Sequence, residues 1–600
     1  MQIRTNELSY ELNKDALFGK YTILKCETTD KYIKYGARVL DCPQLDKSVE
    51  AVRFTGGRSF YVLMNQRVDA VRSYKKLIED TEEWKSLTVS EVRANDVSDD
   101  VLLQLLINAV YNYNPEPLKF SNLTGHFYMV NYGLIKKGKI KGVEEIKKIP
   151  TLEISITKDM RLALNVRTFT SELLKTKIKF TRMKFEQYPK YVLDNGVLRR
   201  EVLSDKDKKL RRYILRQVEG EKSKIAFLDI SNLPTFYKSK MGMLLNLVEA
   251  FNKKYTGIAK IDFKMLDVSS AINHKTSDNN FEKEIIAKNL ADTKFRIIDA
   301  TGDGSGEVLA NQMIEIFENK YNLKLTVGKR LTSDAYNIRI IHNKDYYAGV
   351  DDVHSTYVDK AVQHITVENY VGVAKTAVDA VIYEVMIKKD LLDGKISLYD
   401  WTRFEFDGDI KFGVCRKVGD ITKYFFMCIH PDGSFEIKEQ ESNLFKNDEY
   451  NRLADIFLDM YNLGKPIRGI VEDDKGQINV IRDDEYFTIP NIWKIENDLK
   501  SNHKIPRGDK FRDEYFSSVN DIRYVDMGEY ALYFVGVIGH GMNRTIRNAS
   551  LIRRVEPYGG SEIFFEKLLP LMNVTFVRNG QLTVVPFPFK YLNEYLNSNL

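Results

Sequence analysis

Phe295-Arg296-Ile297-Ile298-Asp299 is a short apolar run, followed by Thr301-Gly302-Asp303-Gly304-Ser305-Gly306 and then by helical periodicity from Glu307 to Tyr321. A buried strand, a glycine-rich loop and a long helix in that order form half of a βαβ unit. The pattern extends both ways. Upstream, Ile225-Ala226-Phe227-Leu228-Asp229-Ile230 reads as a strand, Met241 to Tyr255 as a helix and Ile258 to Leu266 as a further strand. Downstream, Ile338-Arg339-Ile340-Ile341-His342-Asn343-Lys344 reads as the last strand of the unit, and Val362 to Glu368 as another alternating strand. Such alternation predicts a doubly wound parallel sheet spanning 223–360, where ligands sit at the carboxyl ends of the strands.

Two loops fall at those ends. Leu233 to Lys240 leads into a helix amino terminus, whose free N–H groups attract anions, and Tyr237, Lys238 and Lys240 could add contacts to a phosphate there. His274 and Lys275 are further basic candidates. The loop Thr301 to Gly306 fails the dinucleotide fingerprint because Glu307 stands where the last glycine is needed, and no Gly-Lys-Ser/Thr follows. Asp303 opposes an anion, so this loop reads as a plain connection. His342, His354 and His364 show no His-x-x-x-His spacing and are expected to be structural.

In front of this unit, residues 1–172 read as an α+β region. Short strands such as Phe60 to Met64 precede a helix from Asp100 to Tyr111, and Thr151 to Ile156 and Leu162 to Phe169 alternate as half-buried antiparallel strands do. Residues 173–222 form a basic linker region. Lys175, Lys177 and Lys179 would share one face of a strand, and with Arg182, Lys184 and the cations through to Arg216 they would suit a phosphate backbone. The same residues fit a lysine-guarded edge strand.

Behind it lies 361–600. A helix from Ala374 to Asp390 precedes three strands, Ile410 to Arg416, Tyr424 to Ile429 and Phe435 to Ile437, joined by Asp-Gly type turns. A helix from Glu449 to Tyr461 and a fourth strand, Ile467 to Val471, follow. That string is the opening of an RNase H-like fold, in which two-metal cleavage needs a carboxylate in the first strand and another after the fourth. Asp473 and Asp474 meet the second need, but Phe412 to Cys415 holds no acid and Asp409 only precedes the strand. Glu472-Asp473-Asp474 therefore reads first as an acidic turn. Arg544, Arg547, Arg553 and Arg554 crowd one further segment, where guanidinium forks would suit phosphate.

Composition bounds these readings. In 600 residues, 90 Lys and Arg against 84 Asp and Glu leave a net charge of +6, so placement of charge matters more than its total. The four cysteines show no Cys-x-x-Cys spacing, which argues against a disulfide framework or a structural zinc site. No run of apolar residues is long enough to span a membrane, and a cytoplasmic protein with no membrane partner is expected.

The order of parts resembles that of prokaryotic Argonautes: a β-rich N-terminal α+β region, a Rossmann-like MID-type domain and an RNase H-like PIWI-type domain. The segments that carry the likeness are Ser121-Asn122-Leu123-Thr124-Gly125-His126, Asn165-Val166-Arg167-Thr168-Phe169-Thr170, Val362-Gln363-His364-Ile365-Thr366-Val367-Glu368 and Leu582 to Leu592 with Pro586-Phe587-Pro588. The resemblance implies a guide oligonucleotide held by its 5′-phosphate near the carboxy-terminal Leu600, with Mg2+ the one cofactor that could accompany it, and a complementary DNA or RNA target. It also implies a role in prokaryotic defence. Two departures shape the expectation. The front interval is too short for an ordinary PAZ domain, and the first catalytic aspartate is missing, as in members that recognise a target and leave its destruction to an effector nuclease or helicase. Two rival readings remain: an active metal-dependent nuclease using Asp409, Asp473 and Asp474, and a nucleotide-binding α/β enzyme.

Overall fold

Elements form here where apolar residues recur with the period of one structure, and the sheets sort accordingly into parallel and antiparallel. The computed structural model describes residues 2–34, 36–44, 46–65, 68–112, 118–140, 142–177, 188–202, 210–216, 225–273, 279–343, 346–347, 362–370, 374–418, 421–441, 449–506, 514–515, 521–535, 545–546, 549–574, 576–577 and 583–599. The fold is mixed α/β with several sheets. Contacts divide the chain into two units: Met1–Asp267 with Glu485–Val519 and Val537–Leu551, and Val268–Asp484 with Asn520–Gly536 and Ile552–Leu600. Among the described residues no helix is long and apolar enough to cross a membrane.

Two antiparallel sheets hold most of the described strands of the first unit. The smaller runs Val49–Phe54, Ser59–Met64, Thr22–Thr28, Leu87–Glu91, and the larger runs Val197–Arg200, Tyr191–Asp194, Arg212–Arg216, Leu162–Ser171, Val143–Ile156, His126–Asn131, Leu118–Leu123. Helix Asp99–Ala109 is apolar on nearly every face and almost wholly buried. Its two amides are satisfied by backbone: Gln104 donates to Ile154 O at 3.2 Å and accepts from Ile156 N at 2.6 Å, while Asn108 donates to Val52 O at 2.7 Å. A buried amide without such partners would cost about 1–3 kcal/mol, so these pairings fix where the helix lies.

Three expectations are corrected in this unit. Ala259–Asp267 does not join a parallel sheet; it pairs antiparallel with Gln2–Leu12. The reason is in its own pattern, since Ala259, Ile261 and Phe263 are buried while Lys260, Asp262 and Lys264 are exposed, as in a sheet with one wet face. Leu228–Asp229 is a two-residue strand paired with Thr545–Ile546. Lys175 and Lys177 lie in a 3-10 turn, Glu172–Lys177, so the alternating cationic strand does not form there; Lys179, Arg182 and Lys184 lie outside the described residues.

The second unit contains the parallel sheet, ordered Leu325–Val327, Phe295–Asp299, Tyr336–Ile341, Val362–Thr366. Val362–Thr366 thus belongs with this sheet, beyond the expected boundary at 360. Helix Glu307–Tyr321 buries Met313 and Phe317 in a core shared with Phe295, Ile297, Ile338 and Ile340. The chain leaves Phe295–Asp299 for one edge and returns to its other side, so the order switches between Phe295–Asp299 and Tyr336–Ile341.

An antiparallel sheet completes the unit. The strands Phe435–Glu441, Ile421–Ile429, Ile410–Val418, Gly469–Glu472 and Ile478–Ile489 are neighbours in that order, and Gly469–Glu472 runs antiparallel to Ile410–Val418. Helix Glu449–Asn462 covers one face through Leu453, Phe457 and Met460 against Tyr424, Phe426 and Val480. Helix Pro588–Asn599 covers the other through Phe589 against Phe412. Gly469 makes this approach possible: a Cβ there would stand 2.3 Å from the Phe589 ring.

Candidate functional site

Beside helix Pro588–Asn599 lies a cavity of about 580 Å3 into which three arginines, Arg416, Arg468 and Arg553, project among Val414, Phe589, Asn593, Leu596 and Asn597. Strand alternation explains the convergence. Phe412, Val414 and Arg416 share one face of Ile410–Val418, so the last carries its guanidinium to the helix, where it donates to Asn597 Oδ1 at 3.1 Å. Arg468 precedes Gly469–Glu472 and binds Asp483 through two donors, one at 2.8 Å. Arg553 also reaches Asp483, at 3.4 Å, but its Nε makes no hydrogen bond and its side chain is only 12% exposed. Two of the guanidiniums, Arg468 and Arg553, thus share one carboxylate while Arg416 binds an amide, and among the described residues none that line the cavity is acidic. An anion entering it would meet the shielded fork of Arg553 beside the exposed forks of Arg416 and Arg468, a geometry suited to charge-assisted hydrogen bonds.

Arg554, next along the strand, points to the opposite face. It donates to Asp484 at 2.8 Å and Glu556 at 3.1 Å, and lies 3.7 Å from the Tyr530 ring centre. Burial would lower its pKa, but the hydrogen bond and charge of Asp484 outweigh this and raise it. Arg553 and Arg554, neighbours in the sequence, therefore differ: Arg553 lines the cavity, while Arg554 is engaged by Asp484 and Glu556. Arg544 and Arg547 lie outside the described residues.

The 5′-phosphate candidates of the first unit are likewise engaged within the fold. Tyr237 donates to Glu496, and burial followed by this carboxylate raises its pKa. Lys240 is half-buried, donates to Leu164 O at 3.1 Å, and has its pKa lowered by desolvation. The Lys238 stem lies over Gly133, in space a Cβ would fill. The helix amino terminus is already capped: Ser239 accepts from Gly242 N, and Asn232 accepts from Thr235 N at 2.9 Å in the turn before. His274, Lys275 and Leu600 lie outside the described residues.

Nor is the basic linker a free cationic face where it is described. Arg199 pairs with Asp194, Arg200 with the buried Asp41, Arg211 with Glu145 and Arg212 with Glu201.

At the carboxyl ends of the parallel strands, His342 is buried between acids. Its Nδ1 lies 2.6 Å from Glu368 and its Nε2 3.3 Å from Asp303, and Tyr346 stacks on it with ring centres 3.7 Å apart. Burial alone would lower its pKa, but the hydrogen bonds to Glu368 and Asp303 raise it. The glycine loop is folded on its own acids, with Thr301 donating to Asp299 and Ser305 N to Asp303. This crevice is poorly suited to phosphate, as Asp303 suggests from sequence alone.

The nuclease candidates are also engaged. Asp473 closes the turn before Ile478–Ile489, accepting from Lys475 N at 3.0 Å and Gln477 N at 2.7 Å. Asp474 accepts from Asp407 N at 2.9 Å and Gly408 N at 3.1 Å. Asp409 pairs with His430. The acidic-turn reading accounts for Asp473. Sequence reading missed Arg416 and Arg468; the signal for Arg416 is its alternation with Phe412 and Val414, whereas Arg468 is brought in by tertiary pairing. No protein-family model and no curated protein matches this chain.

Proposed function

We propose that this protein binds nucleic acid through phosphate and holds a short 5′-phosphorylated guide and its complementary target without cutting it, in the manner of a cleavage-deficient prokaryotic Argonaute. The observation that carries the reading is the cavity lined by Arg416, Arg468 and Arg553, of which the last two share one carboxylate, Asp483. A terminal phosphate, with its doubled charge and exposed oxygens, suits three converging guanidiniums better than a diester does.

The four-stranded parallel sheet supports a Rossmann-like, MID-type reading of its part of the chain. The antiparallel sheet keeps the strand order 3-2-1-4 of an RNase H-like domain, yet its fourth strand runs opposite to its first, where that fold has them parallel. The PIWI-type reading thus retains the order and loses a direction. Cleavage is left out of the proposal for a local reason: Asp473 gives its carboxylate to turn amides rather than to an open cation site. Destruction of a target would fall to a separate effector protein.

Two measurements on the full chain test this. Nucleic acid extracted from the purified protein and sequenced should consist of short strands with 5′-phosphates. Binding of a short oligonucleotide should weaken linearly in log–log coordinates as salt rises, in proportion to the phosphates contacted. Protein that carries no nucleic acid and shows no affinity for 5′-phosphorylated strands at low salt would overturn the proposal. Affinity for a free nucleotide in place of a strand would favour the nucleotide-binding enzyme instead.

A further inference from the structure

The hairpin of Ile410–Val418 and Ile421–Ile429 gathers three chemically different donors at its open end. Its register sets Ile410 opposite Ile429 and Lys411 opposite Cys428. Asp409, one residue before, therefore meets His430, one residue after, and their Oδ1 and Nδ1 atoms lie 2.7 Å apart. Side chains alternate along strands, so Asp409, Cys428 and His430 leave one face of the hairpin together. A carboxylate oxygen, the Cys428 sulfur and an imidazole nitrogen all lie within 4.8 Å of one another.

The backbone holds two of these donors in place. Cys428 sits in the ladder between Lys411 and Glu436, and His430 is locked by its N–H to Ser434 O and by Gly433 N to its own carbonyl, both at 2.9 Å. Burial is graded: Cys428 is buried, His430 intermediate and Asp409 exposed, which leaves an approach from solvent on the carboxylate side. Lys411, which the register sets opposite Cys428, is held by Glu449 and by Glu472, the latter at 3.0 Å.

We propose that Asp409, Cys428 and His430 form a site for a zinc-type divalent cation, with three protein donors and water completing a tetrahedron. Mg2+ and Ca2+ take oxygen donors, whereas a set of one sulfur, one nitrogen and one oxygen selects a borderline metal. The site stands apart from the arginine cavity, since helix Glu449–Asn462 covers this face of the sheet and helix Pro588–Asn599 the other. It does not depend on the nucleic-acid reading. A bound cation would tie the first two strands together at their open end and add its binding free energy to folding.

Full-length protein stripped with a chelator and titrated with Co2+ tests the site. We expect a thiolate-to-cobalt charge-transfer band and ligand-field bands of four-coordinate intensity, saturating at one equivalent and displaced by Zn2+. Cys428→Ser should abolish the charge-transfer band. Asp409→Asn, a change at an exposed position, should weaken binding at least about tenfold, since even groups behind a metal ligand are worth that much. Thermal unfolding of the wild type should shift upward with Zn2+, and that of Cys428→Ser should not. Folded wild-type protein that gives no band, or a band that survives Cys428→Ser and so belongs to another cysteine, would overturn the proposal.

Discussion

The first unit has the denser run of arginine and lysine in sequence, yet the second has the uncompensated positive site. Between residues 199 and 212 each described arginine meets its own carboxylate: Asp194, Asp41, Glu145 or Glu201. In the second unit Arg416, Arg468 and Arg553 come from distant segments, and among the described residues Asp483, bound by Arg468 and Arg553, is the one carboxylate they meet. The contrast teaches that a cationic run states only how many charges exist. Where they become a binding site depends on which acids the fold delivers to them.

The largest effect should come from breaking a match in the first unit. Arg200 donates to Asp41 at 2.8 Å, and Asp41 is 2% exposed with Thr124 N as a further donor. Arg200→Ala leaves that carboxylate buried with no cation and should cost about 3–5 kcal/mol in denaturant unfolding. A loss below about 1 kcal/mol would mean that the neutralisation is incidental.

A buried acid without a cation provides the converse. Among the described residues Asp390 in the second unit accepts from Ser397 N and Oγ and from the Tyr591 hydroxyl, and burial pushes its pKa up to about 6. Its folded pKa lies above the unfolded value, so its contribution is most favourable below the unfolded pKa and is lost as pH rises through about 6. Asp390→Asn should therefore gain stability relative to wild type, on the order of 2 kcal/mol, between about pH 4 and pH 7. A difference between the two that does not vary with pH would refute the assignment.

The smallest effect compares two exposed arginines. Arg468→Ala should lower the salt slope of oligonucleotide binding by about one, whereas Arg211→Ala should leave it unchanged. Equal slopes for the two variants would erase the distinction between the units.

Local periodicity made much of the fold legible. Helix Glu307–Tyr321 and strand Phe295–Asp299 occupy the residues their spacing predicts, and the three-strand meander follows its turn residues. Partners were harder to read. The alternation of Ala259–Asp267 already pointed to a half-wet antiparallel strand, but the strand it pairs with lies over two hundred residues earlier, at Gln2–Leu12. The site was half legible. Arg553 stands in a basic cluster visible in the sequence, but alternation sends Arg554 to the other face; Arg416 alternates legibly with Phe412 and Val414, whereas Arg468 reaches the cavity through a pairing that local pattern does not encode. Cys428-Ile429-His430 carries a readable signal, since i and i+2 on a strand share a face, which Cys-x-x-Cys spacing does not capture.

Fluorescence polarisation of otherwise identical oligonucleotides bearing a 5′-phosphate or a 5′-hydroxyl, on wild type and on Arg553→Ala, tests the central claim most directly. The account predicts that wild type prefers the phosphorylated strand by about 10–100-fold, the worth of hydrogen bonds to a charged group, and that Arg553→Ala removes most of that preference. Equal affinity of wild type for both strands, or a preference that Arg553→Ala leaves intact, would contradict it.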